Sequence, residues 1–145
     1  MDICAIAEQD LQVISQLYVS VFSGPPWNED WEFTWAYERL QWIYQSKGFV
    51  GYIAINDDQT LGAIMGHFVP FKGNKGFEIV ELLVATHHQN QGIGNKLLTK
   101  LELTLQQDNY DNTWLLTAKD SDAESFYSKH SYQRERKIVL LNKEL

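Results

Sequence analysis

Glu81 is the one acid in an otherwise apolar run, Val80 to Val84, that leads into a polar turn carrying Gly92 and Gly94. A buried carboxylate is costly unless it faces a cleft or meets a partner, and partial burial raises its pKa toward the range of a useful base. Glu78 is its rival in the same stretch. On a regular strand, residues three apart point to opposite faces, so only one of the two is expected in a cleft. The alternative is that both are solvated or ion-paired. Glycines at a turn cost conformational entropy. A strand, a glycine turn and a helix in succession expose backbone N–H groups at the helix N-terminus, where the helix dipole adds positive character. Such a turn suits a phosphate or pyrophosphate. Spacing alone leaves open a plain strand–helix junction.

Three phosphate-binding patterns compete for this turn. No Gly-x-x-x-x-Gly-Lys-Ser/Thr string is present. A dinucleotide-binding fingerprint needs a third glycine where Leu97 stands, and the connector from the strand is too long for it. Gln89-Asn90-Gln91-Gly92-Ile93-Gly94 instead resembles the Gln/Arg-x-x-Gly-x-Gly/Ala motif of the GNAT superfamily of acyl-CoA-dependent N-acyltransferases. The apolar "VELLV" before the motif resembles the family's strand at that place, and Ala123, Tyr127 and Tyr132 resemble its Ala-x-x-x-Tyr helix and following aromatic. "PPWNE" is similar to a bacterial subgroup related to aminoglycoside acetyltransferases.

The resemblance implies a mixed α+β fold, a splayed sheet of about six to seven strands flanked by about four helices, in one domain over residues 1–145. It implies acetyl-CoA as co-substrate, no metal, and direct acetyl transfer to a primary amine of a small molecule. The CoA pyrophosphate would meet the Gln89, Asn90, Gln91, Gly92, Ile93, Gly94 and Asn95 stretch, chiefly the amides of 91 to 95, and the pantetheine arm would follow Leu83 and Val84. Glu81 would be the base and Tyr127 the acid that protonates the leaving thiolate, since a phenol titrates near ~10, close to a thiol. Tyr127 as a core residue beside Phe126 is the alternative. Asp120 and Ser131 depart from the family's Asn and Gly, which puts Asp120 in doubt as a cofactor ligand and suggests a slightly different turn at Ser131. A non-catalytic acyl-CoA-binding module is the second function class.

The acceptor wall is expected in "PPWNEDWEFTW", where Trp27, Glu29 and Trp31 combine indole faces with a carboxylate suited to an amine. The tryptophans as core and the acids as helix N-terminal charges are an equal reading. His87 and His88 are adjacent with no metal-ligand spacing around them, and His67 reads as a sheet histidine or part of the acceptor pocket. Cys4 reads as core.

The elements that must position these groups follow from periodicity. Residues 3–7 read as a strand. Leu11, Ile14, Tyr18 and Phe22 mark one helical face, and a second helix is expected from Glu32 to Tyr44. Residues 49–56, 60–71 and 77–84 read as three strands joined by turns. Ile93, Leu97, Leu98, Leu101 and Leu105 form a helical stripe. Residues 113–118 read as a strand, 121–130 as a helix opened by a Ser/Asp cap, and the stretch from Tyr132 to Leu145 as one or two final strands.

Composition bounds the rest. The 145 residues suit one core, and 44% hydrophobic content excludes disorder. A net charge of −7 argues against nucleic acid as a partner. No run reaches membrane-helix length, the N-terminus lacks a signal-peptide pattern, and the single cysteine points to a reduced, cytoplasmic setting. A homodimer is left open.

Overall fold

Two tight turns order the middle of the sheet. Asp57 and Asp58 take φ of 49° and 63°, and Lys72 and Gly73 take 51° and 78°. Paired left-handed residues match the twist of antiparallel strands. They join β2 (Val50–Asn56), β3 (Gln59–Phe71) and β4 (Asn74–Val84). β1 (Asp2–Ala5) pairs with β2, and β5 (Asn112–Leu115) runs parallel to β4, giving the order β1-β2-β3-β4-β5. The computed structural model describes all 145 residues, as a unit of Met1–Leu115 and a second of Leu116–Leu145.

In the first unit, α1 (Leu11–Ser23) buries Leu11, Ile14, Tyr18 and Val21, and α2 (Phe33–Tyr44) buries Ala36, Leu40 and Ile43. All of these but Val21 share a core with Ile53, Ala63, Met65 and Leu83 of the sheet. α3 (Ile93–Gln107) buries its whole expected stripe, Ile93, Leu97, Leu98, Leu101 and Leu105. Each such side chain contributes about 1.5–3 kcal/mol of burial. α3 lies over the other sheet face. A Cβ at Gly62 would come within 2.6 Å of the Leu83 carbonyl oxygen on β4, so glycine is what lets the two strands lie together there, with Leu97 Cδ1 of α3 close by at 3.2 Å.

β5 pairs with β4 only from Gly76↔Asn112 to Ile79↔Leu115. Val80–Val84 therefore has no strand partner on that side, and the outer edge of β4 is open where the glycine turn begins.

The second unit contains α4 (Asp122–Lys129), capped by Ser121, whose Oγ accepts the Glu124 N–H at 3.1 Å. Arg134 grips both Glu124 oxygens and reaches Asp120 Oδ1 at 2.8 Å. That grip holds the Glu124 carboxyl at about 2, chiefly by the Arg134 hydrogen bonds.

Two expectations change. The mixed α+β sheet with four α-helices stands, but it has five strands, because the run after Tyr132 forms none. Ile138, Val139, Leu140 and Leu141 are 72–87% exposed. Apolar, β-branched residues favour a strand only where a ladder partner exists. Cys4 is exposed rather than core, since β1 is an edge strand.

Candidate active site

A bulge in β4 decides where its two acids point. Met65 pairs with Glu81 and Gly66 with Ile79, so Val80 is an extra residue without a partner of its own. His67 pairs with Glu78. Met65 and His67 are two apart on β3 and share a face, and directly paired residues share it too. Glu78 and Glu81 thus lie on the same face, toward α1 and α2. The expectation that only one faces that side fails because it assumed a regular strand.

Glu81 is 8% exposed. Arg39 of α2 donates its Nε–H to Glu81 Oε1 at 2.6 Å, and Tyr18 of α1 donates its hydroxyl to the same oxygen at 3.1 Å. Both bonds fall on Oε1, and neither reaches Oε2. Burial raises the Glu81 pKa, while Arg39 and Tyr18 oppose the rise. Burial and then the Glu81 charge push the Tyr18 phenol up, so it remains a donor. Glu78 is less enclosed. Its Oε1 is 3.5 Å from His67 Nε2, and the His67 ring meets Trp42 at 6.1 Å and 71°.

The turn after β4 is built from unusual backbone. Asn90 and Gly92 take φ of 62° and 82°, and Gly92 caps α3 with no side-chain hydrogen bond. The Lys96 N–H to Gly92 carbonyl bond, at 3.0 Å, is the first of the helix, so the amides before it have no helical acceptor. Gln91, Gly92 and Asn95 are exposed, whereas Ile93 is buried and offers only its backbone. A Cβ at Gly92 would meet nothing within 4 Å. Gln89 is exposed and folds back on the turn, its Nε2 donating to the Val84 carbonyl at 3.1 Å. The Ala85 N–H bonds the Leu61 carbonyl at 2.7 Å, and antiparallel alternation then turns the polar groups of Leu83 to β3. Those of Leu82 and Val84 face the open edge.

Trp31 packs edge-on against Tyr18 at 4.8 Å, and its Nε1–H bonds Glu29 Oε1 at 3.0 Å. Trp27 packs on Phe22 at 5.6 Å. Trp31 also lines an open cleft of about 300 Å³ with Trp35, Glu38, Arg39 and Trp42. In the second unit, Tyr127 is buried with Phe126 and Tyr132 as ring neighbours at 5.2 and 5.4 Å. Ser131 takes φ of 71° and the Tyr132 N–H bonds the Tyr127 carbonyl at 3.1 Å, so the left-handed helix ending is kept despite the loss of glycine. Asp120 is spent on Arg134. No group of three His, Cys, Asp or Glu side chains could hold a metal ion, and no helix is long and apolar enough to cross a membrane.

Arg39 and Tyr18 escaped the reading of the sequence. Tyr18 registered only as one of a helix's apolar positions, and Arg39 carried no motif. The available signal was the burial problem posed by Glu81, which demanded a donor from another element.

Several solved structures share the fold. An aminoglycoside acetyltransferase from an uncultured soil metagenomic sample, crystallised with sisomicin, is 21% identical, with 99% of this chain and 95% of that chain covered and a TM-score of 0.75. A second aminoglycoside acetyltransferase from such a sample is 15% identical, with 99% and 97% covered and a TM-score of 0.71. A transcriptional regulator from Bacillus halodurans is 19% identical, with 98% and 99% covered and a TM-score of 0.78. Comparison with curated proteins gives no significant match. The model of the acetyltransferase (GNAT) family matches residues 12–132, nearly the whole span that carries the sheet, the glycine turn and the tyrosine helix, and the chain belongs to that family.

Proposed function

We propose that the protein is a single-domain enzyme that moves an acetyl group from acetyl-CoA directly to a primary amine of a small molecule, with Glu81 as the general base. The observation that carries this reading is the state of Glu81. Its carboxylate is buried, held through Oε1 by Arg39 and Tyr18, and leaves Oε2 to accept a proton. An acceptor amine is an ammonium near neutral pH and must lose a proton before it attacks. A carboxylate with one anchored oxygen is pre-oriented for that transfer. The soil aminoglycoside acetyltransferase crystallised with sisomicin is in keeping with a small-molecule acceptor.

The residues of the turn fit acetyl-CoA, which supplies an activated acyl thioester. The uncapped amides from Gln91 to Asn95 would hold its pyrophosphate, since the space beside Gly92 is clear. The open β4 edge at Leu82 and Val84 would take the pantetheine amides, and the Val84 N–H would face the thioester oxygen as charge builds there. Tyr127 would hold the proton for the leaving thiolate. Trp31 and Glu29 would contribute to the acceptor end.

The test is Glu81→Gln, which keeps shape but cannot take a proton. Thiol release measured against a panel of amines should show kcat/KM lowered by roughly 10²-fold, with a smaller loss at high pH where free amine is abundant. Equal rates for Glu81→Gln and wild type at neutral pH would remove the base assignment.

A further inference from the structure

We infer that the open cleft on α2 recognises the acceptor and selects an arylalkyl monoamine, a flat aromatic body with one ammonium on a short arm. This rests on the reading of Glu81 as base.

Trp35, Glu38, Arg39 and Trp42 fall at i, i+3, i+4 and i+7, one stripe of α2, and Trp31 completes the lining. The adjoining side of the helix, with Ala36, Leu40 and Ile43, fills the core. A stripe at the margin of the core and open to solvent is ordinarily polar. Here Trp35 and Trp42 are 50% and 53% exposed, so each leaves about half of its indole open. Exposed indole faces attract flat rings and cations.

The charges set how many ammonium groups are welcome. Glu38 is the one carboxylate on the lining. Arg39 is the one cation, and Glu81 matches its charge at 2.6 Å. Glu29 stands beside the lining, where its Oε1 accepts the Trp31 Nε1–H at 3.0 Å. A polycation needs several free carboxylates along its path, whereas here Glu38 stands beside a guanidinium and Glu29 is already engaged by the Trp31 indole.

The cleft also leads to the chemistry. Trp31 rests on Tyr18, and Arg39 is itself part of the lining; both Tyr18 and Arg39 bond Glu81. A ring seated on the indoles would carry its amine arm toward that carboxylate.

Phenethylamine, n-butylamine and kanamycin, each with acetyl-CoA, test the inference. Thiol release should give kcat/KM for phenethylamine about tenfold or more above butylamine, with kanamycin the poorest. In Trp35→Ala, shown folded by circular dichroism, that ratio should fall toward one through a raised KM for phenethylamine. Calorimetric titration with phenethylamine should show the same loss of binding in Trp35→Ala and Trp42→Ala. Equal kcat/KM for the two simple amines, or preference for kanamycin, overturns the inference and leaves the acetyltransferase reading intact. Trp35-dependent binding of phenethylamine with no acetylation of any amine supports the cleft and sinks that reading. A wild-type dimer that Trp35→Ala converts to a monomer in size-exclusion chromatography makes the cleft a subunit contact and overturns the inference.

Discussion

Replacing Arg39 with Gln removes the cation from Glu81 and keeps a side chain able to hydrogen-bond it. Removing one partner of a fully buried ion pair costs about 3–5 kcal/mol. The Arg39 side chain is 39% exposed, so part of its field already runs through water, and Tyr18 retains its bond to Oε1. A loss of about 2 kcal/mol near neutral pH is expected. The loss should vary with pH. Burial raises the Glu81 pKa and Arg39 restrains it, so the variant's value rises further. A group whose folded pKa lies above its unfolded value contributes stability that is fully present below the unfolded pKa and lost as pH rises through the folded one. Arg39→Gln should therefore come closest to wild type below the ordinary carboxylate range, where Glu81 is protonated in both, and fall behind as pH rises through the raised Glu81 value. Urea denaturation at several pH values, followed by far-UV circular dichroism, reads this difference. The acid limb of the kcat/KM profile should move to higher pH in the same variant. A stability difference that is flat from acid to alkaline pH would refute the charge pairing, and with it the account of how Glu81 is held.

CoA at about a hundred times its Kd should stabilise the protein by about 2.7 kcal/mol, a rise in Tm of roughly 5–10 °C. Gly92→Val should abolish that rise, and Gly92→Asn, whose side chain tolerates the left-handed backbone at φ 82°, controls for strain. Tyr127→Phe keeps the ring against Phe126 and Tyr132 and removes only the hydroxyl, and kcat should drop about 10-fold or more at saturating amine. Unchanged kcat in that variant, where chemistry is rate-limiting, would leave thiolate protonation to solvent.

What the sequence alone determined is what nearest neighbours along the chain decide. The stripe from Ile93 to Leu105 could only be one face of a helix, and the pattern from Gln89 to Gly94 marked the family because its demands on the backbone are local. Ser121 announced a cap that its own bond to the Glu124 N–H completes. Turns and strands followed for the same reason up to β5. The run from Ile138 to Leu141 has the composition of a strand, yet a strand needs a partner, and pairing is not a local property. The candidate site divides along the same line. Glu81 stood out as an acid in an apolar run, but its surroundings came from tertiary structure. Arg39 and Tyr18 lie 42 and 63 residues away and meet one oxygen because two helices pack on one sheet face. The bulge at Val80 puts Glu78 on the face that alternation denied it, since one unpaired residue reverses every side chain beyond it. The cleft of three indoles joins Trp31, just before α2, to Trp35 and Trp42 on it, and its place beside Arg39 and Glu81 comes from packing.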